Sequence, residues 1–243
     1  MKIAVISDIH ANLVALNTII DDIQKESCDS IFCLGDIVLA GPQPKETLDF
    51  VKSQDWTIIQ GNTDKLIAEY NSEIVESLKE KYPVMGNALV DDVNILDDED
   101  KKYLCELPPA LEVTVEGVKI LLVHGSPRYN NEDIMPNMEI SLIEEIISSS
   151  DADLILCGHT HIPCGYQTNK KQTVVNVGSI GRPMTNEPLA CYVVLEVNDG
   201  IFTIKHKFID YDRELSAKLV LERGFDGVDK LAEMLVNPEQ RHV

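Results

Sequence analysis

The sequence predicts an α/β fold built on a mainly parallel sheet, and two observations carry that reading. Over the first sixty residues, short β-branched runs alternate with segments whose apolar residues recur at helical spacing, the pattern of successive strand, loop, helix units. Along the whole chain, the loops that end strand-like runs also collect four of the six histidines and several carboxylates, as expected where the C-terminal ends of parallel strands face one crevice.

Taken in order, Lys2 to Ser7 reads as a strand, and Leu13, Leu16, Ile19, Ile20 and Ile23 place a helix over 13–23. Ser30 to Leu34 is a second strand, Pro44 to Val51 a second helix, and Thr57 to Gln60 a third strand stopping at Gly61. From Thr63 to Glu106 the pattern is helical and polar, an inserted helical cap over about 63–106 of a single domain spanning 1–243. Within it, Asp97-Asp98-Glu99-Asp100 reads as a helix N-terminus, where acidic side chains favour the macrodipole. Leu111–Val115 and Val118–Val123 form a hairpin around Glu116-Gly117. Glu139 to Ile147 is a helix. Leu154–Cys157, Thr173–Val177, Leu189–Val197 and Phe202–Ile209 are strands, the last two joined by the turn Asp199-Gly200. Leu215–Glu222 and Val228–Val236 close the chain as helices that either cover a sheet or make a homo-oligomer interface.

Composition narrows the partners. A formal charge of −20 on 243 residues repels long polyanions, which excludes duplex nucleic acid and anionic membrane as natural partners. No apolar run is long enough to span a bilayer, and Met1 to Ile6 leads into a polar turn rather than a signal peptide. Cys28, Cys33, Cys105, Cys157, Cys164 and Cys191 form no Cys-x-x-Cys pair and read as reduced thiols of a cytoplasmic protein.

The chemistry sits at the strand ends. Asp8-Ile9-His10 follows the first strand, Gly35-Asp36 the second, Gly61-Asn62 the third, His124-Gly125 the hairpin, and Gly158-His159-Thr160-His161 the strand after it. Oxygen donors from Asp8, Asp36 and Asn62 mixed with imidazoles from His10, His124, His159 and His161 suit borderline divalent cations such as Mn²⁺, Fe²⁺ or Zn²⁺. Seven ligands exceed one tetrahedral ion and fit two ions that share a carboxylate. The pleat predicts that Asp8 and His10, and likewise His159 and His161, point the same way and grip one ion as pairs. His206 and His242 read as structural or surface residues, and Asn12 as either a helix cap or a substrate contact.

In order and spacing these five blocks resemble the calcineurin-like metallophosphoesterase superfamily, whose signature is Asp-x-His, Gly-Asp, Gly-Asn, a lone His and Gly-His-x-His. Gly41-Pro42 and Asn176-Val177-Gly178-Ser179 extend the similarity, which is strongest to compact bacterial and archaeal phosphodiesterase-like members. The resemblance implies a four-layer α/β/β/α sandwich of two mixed sheets with a dinuclear site at one edge. It implies Asp8, His10, Asp36 and His161 on one ion, and Asp36, Asn62, His124 and His159 on the other. Asp36, Asn62 and His124 then stand closest to the chemistry, in which a hydroxide bridging two ions roughly 3.5–4 Å apart attacks phosphorus. The expected substrate is a small phosphodiester or nucleotide-like phosphate. A dinucleoside polyphosphate of the diadenosine tetraphosphate type is an alternative, and a non-catalytic metal-dependent scaffold is another. Arg128 and Arg182 are candidate grips for a phosphate oxygen, and Gly178 to Gly181 either a phosphate cradle or a tight turn. One departure matters: many phosphatases of the superfamily have His directly after Gly-Asn as the leaving-group acid, and here Thr63 stands there, followed by Asp64. A threonine hydroxyl is too weak an acid for that role, which favours leaving groups that need little help.

Overall fold

A computed structural model describes residues 1–237; His242 lies outside the described residues. The chain begins with β1 (Lys2–Ile6), α1 (Leu13–Glu26), β2 (Ser30–Cys33), α2 (Pro44–Lys52) and β3 (Thr57–Ile58). Four helices follow, α3 (Asn62–Ala68), α4 (Ser72–Lys81), α5 (Pro83–Ile95) and α6 (Asp98–Glu106). The second half runs β4 (Ala110–Val115), β5 (Val118–Val123), α7 (Ile140–Ile146), β6 (Leu154–Cys157), β7 (Cys164–Gln167), β8 (Thr173–Asn176), β9 (Ala190–Asn198), β10 (Ile201–Ile209), α8 (Arg213–Glu222) and α9 (Val228–Val236).

These strands form two five-stranded mixed sheets, ordered β10-β9-β1-β2-β3 and β4-β5-β6-β8-β7. In the first, β1, β2 and β3 are parallel and β9 runs antiparallel to β1. In the second, β5, β6 and β8 are parallel, flanked by antiparallel β4 and β7. Alternation along β1 shows how the layers arise. Ile3 and Val5 join Phe32, Leu34, Leu122, Leu156, Val175 and Val193 in the apolar slab between the sheets, while Ala4 and Ile6 face the helices with Leu16, Ile19 and Leu48. A third cluster, including Ile143, Ile146 and Ile155, seats α7 on the outer face of the second sheet. The result is the expected α/β/β/α order. Helices α8 and α9 cover the first sheet through Ala217, Val220, Leu231 and Leu235, and Ile67, Leu89, Val93 and Leu104 of the four-helix segment share that core.

The predicted hairpins close as two-residue turns with both central residues at positive φ, Glu116-Gly117 (43° and 87°) and Asp199-Gly200 (47° and 78°). The acidic run begins a helix: Asp97 accepts from the Asp100 amide at 2.9 Å, the Asp100 carboxylate returns to the Asp97 amide at 3.2 Å, and Lys45 and Lys52 both reach Asp100. One strand was not anticipated. Cys164-Gly165-Tyr166-Gln167 carries too few β-branched residues to signal itself, yet it pairs with β8 from Cys164↔Asn176 to Gln167↔Thr173.

A buried ion-pair cluster ties the helices to the loop after β2. Arg223, past the end of α8, contacts Asp91 and Asp92 of α5 and donates to the Gly41 carbonyl at 2.6 Å, with its guanidinium 5.0 Å from the Phe225 ring centroid. The Gly41 segment has no room to shift, since a Cβ there would lie 1.7 Å from the His10 carbonyl oxygen.

Candidate metal centre

The parallel strands β1, β2 and β3 of one sheet and β5 and β6 of the other release their chains toward a single edge. The loops knit there by backbone bonds: Asp8 N–H donates to Gly35 O (3.0 Å), His10 N–H to Asp36 O (2.9 Å), and Gly158 N–H to His124 O (2.8 Å). The two sheets are joined at the site itself, where His159 N–H donates to Asp8 Oδ2 at 3.0 Å. Close approach is obligatory in these loops. A Cβ on Gly61 would sit 2.1 Å from the Asp36 amide nitrogen, and one on Gly158 would sit 2.5 Å from Asp8 Oδ2.

Five of the seven predicted ligands adopt left-handed backbone: Asp8 (φ 55°), His10 (46°), Asp36 (54°), His159 (68°) and His161 (62°). Asp and His tolerate this region better than most residues, but each non-glycine instance is strained, and such a cluster marks a functional site. The pairing expected from the strand pleat holds for Asp8 and His10 but not for His159 and His161: His161 Nε2 meets His10 and Asp8, whereas the His159 ring lies against His124. β1 ends at Ile6 and β6 at Cys157, so both His-bearing motifs lie beyond their strands, aimed by left-handed turns.

Three imidazoles are locked through Nδ1, which faces a backbone carbonyl: His10 to Leu39 O (3.0 Å), His161 to Arg182 O (2.6 Å) and His124 to Leu34 O (2.7 Å). Donation from Nδ1 turns each Nε2 into the site, where it would present its lone pair to a bound metal ion. Those Nε2 atoms face one another and oxygens. His10 Nε2 and His161 Nε2 are 3.0 Å apart, Asp8 Oδ1 is 3.2 Å from His161 Nε2, and His124 Nε2 lies 3.0 Å from Asn62 Oδ1 and 3.3 Å from Asp36 Oδ1. Asp8 Oδ1 is buried and has no hydrogen-bond partner. The converging Nε2 atoms and the partnerless Asp8 Oδ1 are what a divalent cation would satisfy, so the donor set fits metal. Among the described residues, two buried groups meet the spacing of a metal cluster, Asp8-His10-His161 and Asp8-Asp36-His124.

Asp8 belongs to both groups, and Asp36, with Oδ1 toward His124 in the second, also faces the first through Oδ2, 3.6 Å from His10 Nε2. Asp8 Oδ1 lies 3.9 Å from His124 Nε2. His159 is set further out, its Nε2 3.3 Å from Asp133 and its ring edge-on to His124. Electrostatics follow the geometry. Burial and the neighbouring His161 push His10 down to about 4, so its ring is neutral. Burial disfavours charge on His124 as well, but Asp36 and Asp8 outweigh it and raise the ring to about 10. Burial opposes ionisation of Asp36 and Asp8, yet His124 and His161 respectively hold them well below the usual carboxylate range. The pocket thus attracts positive charge.

Asp64 is the residue that sequence reasoning passed over. Its buried carboxylate accepts from the amides of Asp36 (2.8 Å), Ile37 (2.9 Å) and Gly61 (2.9 Å), fixing the two strand exits that carry Asp36 and Asn62. Burial and the Asp36 charge push it up to about 7. A signal was available: a carboxylate three residues after the glycine that precedes a helix is at the capping-box position. Thr63 is turned inward, its Oγ donating to Val38 O at 3.0 Å and its amide to Asp36 Oδ1 at 2.8 Å.

The two candidate arginines part company. Arg128 is held by Glu132 (2.6 Å) and Glu145 (3.1 Å), away from the cleft. Arg182 lines the cleft of about 580 Å³ that opens over His10, Asp36, Asn62, His159 and His161. Gly178 to Gly181 forms a turn against the Asp8 loop, with the Ile180 and Gly181 amides donating to Ser7 O and Asp8 O. Asn12 caps α1 by accepting from Ala15 N–H, and His206 bonds the Asn176 carbonyl, both structural roles.

Sheet order, strand-end donors and the inward-facing histidine Nε2 atoms together define a metallophosphoesterase fold. The chain belongs to the calcineurin-like phosphoesterase superfamily, whose domain model matches residues 1–200. It is 30% identical over 236 residues to the uncharacterized protein MJ0912 of Methanocaldococcus jannaschii, covering 91% of this chain and 93% of that one. The crystal structure of a metallophosphoesterase from Sphaerobacter thermophilus matches with a TM-score of 0.80 and 26% identity, over 98% of this chain and 99% of that chain. The fold is also that of the hypothetical protein PH1004 from Pyrococcus horikoshii OT3, at a TM-score of 0.86, 23% identity and coverage of 98% and 99%. Membership supports a metal-dependent phosphoesterase acting on phosphate esters. No described helix is long and apolar enough to cross a membrane.

Proposed function

We propose that this chain is a phosphodiesterase of small aryl or nucleotide-like phosphodiesters that works with two divalent ions. The facing Nε2 atoms of His10 and His161 beside the partnerless Asp8 Oδ1 support this reading most directly. Asp8, His10, Asp36 and His161 would hold one ion, and Asp36, Asn62, His124 and His159 the other. When bound, such ions supply a water-derived nucleophile near neutral pH and offset charge developing on the phosphate.

The chain's own groups do the rest. Asp36 keeps the two halves of the site in one geometry, with Asp64 gripping the amides on either side of it. The carbonyls of Leu39, Arg182 and Leu34 hold the imidazoles in register, the outer contacts that usually govern metal affinity. Arg182 provides a fixed positive charge in the cleft for a non-bridging phosphate oxygen. The acidic surface turns long polyanions away and leaves small esters as substrates.

Position 63 sets the leaving group. Thr63 offers no acid, and its hydroxyl is engaged with Val38 O. General-acid help is worth about 10²–10⁴-fold, so esters of basic alkoxides lose at least that much relative to esters of weakly basic phenols. With Mn²⁺ and a series of methyl aryl phosphates, log kcat/KM falls steeply as the phenol pKa rises. A flat dependence would contradict the reading.

A further inference from the structure

The cleft has two unlike sides. One is the ligand cluster with Arg182; the other is apolar, built from Leu66 of α3, Leu78 of α4 and Tyr82 and Met85 at the start of α5. Helix α4 is unusual in the fold: none of its ten residues is fully buried, yet Ile74 and Leu78 stand one turn apart as an apolar stripe that runs on to Tyr82. An amphipathic helix normally buries such a stripe against the core. Here Ile74 and Leu78 pack on the core only in part, and the stripe also borders a second hollow of about 430 Å³, which shares Leu66, Leu78 and Tyr82 with the metal-lined cleft. Tyr82 is 62% exposed where the two spaces meet.

From this juxtaposition we infer that the α3–α5 segment is the specificity wall of the site, and that it takes a planar, apolar ester group of the substrate, an aryl ring or nucleobase, stacked on Tyr82 and packed on Leu66 and Leu78. The inference rests on the phosphodiesterase reading. Its physical basis is that a flat π-face is bound by an exposed aromatic ring with little ordering cost, whereas a methyl or ethyl group covers too little of the wall to gain from it. Arg182 lies between the two halves, its guanidinium nitrogens 3.5 Å from Met85 Sδ and 3.6 Å from Met234 Sδ, so the cation is set at the junction of the phosphate and apolar subsites.

Equilibrium titration of the Mn²⁺-loaded chain with phenylphosphonate and with methylphosphonate separates the two subsites, because both ligands share the metal-seeking oxygens and only one carries a ring. Wild type binds the phenyl compound about tenfold more tightly, within the range that stacking on one aromatic side chain supplies. Tyr82→Ala removes most of that preference and leaves methylphosphonate affinity unchanged; Tyr82→Phe keeps it. Equal affinities in wild type, or a preference that survives Tyr82→Ala, would overturn the wall while leaving the phosphate site standing. A preference that survives together with a dimer lost on Tyr82→Ala would assign the stripe to a second copy of the chain instead. Failure of both phosphonates to bind would remove the phosphodiesterase reading itself, and the wall with it.

Discussion

Asp36→Asn abolishes turnover while leaving the chain folded. The amide keeps the side chain's shape and can still accept from the Thr63 amide, which lies 2.8 Å from Oδ1. What it loses is the charge that faces His10 through one oxygen and His124 through the other. A carboxylate shared between two ions holds both, so its neutralisation weakens each. Bound ions contribute several kcal/mol of transition-state stabilisation, and losing them lowers kcat/KM by about 10³-fold or more. Steady-state kinetics at saturating Mn²⁺, with circular dichroism to verify the fold, read the effect. Turnover that persists in Asp36→Asn or Asp36→Ala would exclude a shared-carboxylate site.

The largest stability effect is expected at the buried cluster around Arg223. Arg223→Met destabilises the fold by about 3–5 kcal/mol, because removing one partner from a buried ion pair strands the other. Arg223 is 6% exposed in its side chain and Asp92 is fully buried, with one Asp92 oxygen lacking any partner even in the intact cluster. The pH dependence has a defined sign. Burial raises Asp92 to about 6 and Arg223 opposes the rise, so without the guanidinium the carboxyl titrates higher still. A folded-state value above the unfolded carboxylate's roughly 3.9 means the folded chain binds more protons in that window, and the cost of burying Asp92 grows as pH rises. The deficit of Arg223→Met is therefore larger at pH 7.5 than at pH 5, as read from urea unfolding at both values. A deficit that is flat with pH, or below about 1 kcal/mol, would show that the pair is not buried as described.

Much of this architecture was legible from local signals because the chain uses local rules consistently. α9 occupies Val228–Val236, where its apolar spacing places it, and Glu116-Gly117 and Asp199-Gly200 close the hairpins they announce. The donor set was legible for a different reason: each donor sits immediately after a strand, and parallel strands share an exit edge. What could not be read was which of several available partners a side chain takes. Arg128 follows His124 closely in the chain, yet Glu132 and Glu145 claim it. Asp64 gains its role only because the amides of Asp36 and Ile37, far earlier in the chain, point at it. The left-handed turns at Asp8, His10, Asp36, His159 and His161 escape a period-two argument, since the pleat stops before they begin.

If Asp8, His10, Asp36, Asn62, His124, His159 and His161 converge to hold two cations, direct counting of ions reads it. Mn²⁺ titration of the metal-stripped chain by calorimetry, with metal analysis of the dialysed product, predicts two ions per chain in wild type. A count of none, or one ion with full phosphodiester turnover, would contradict the account.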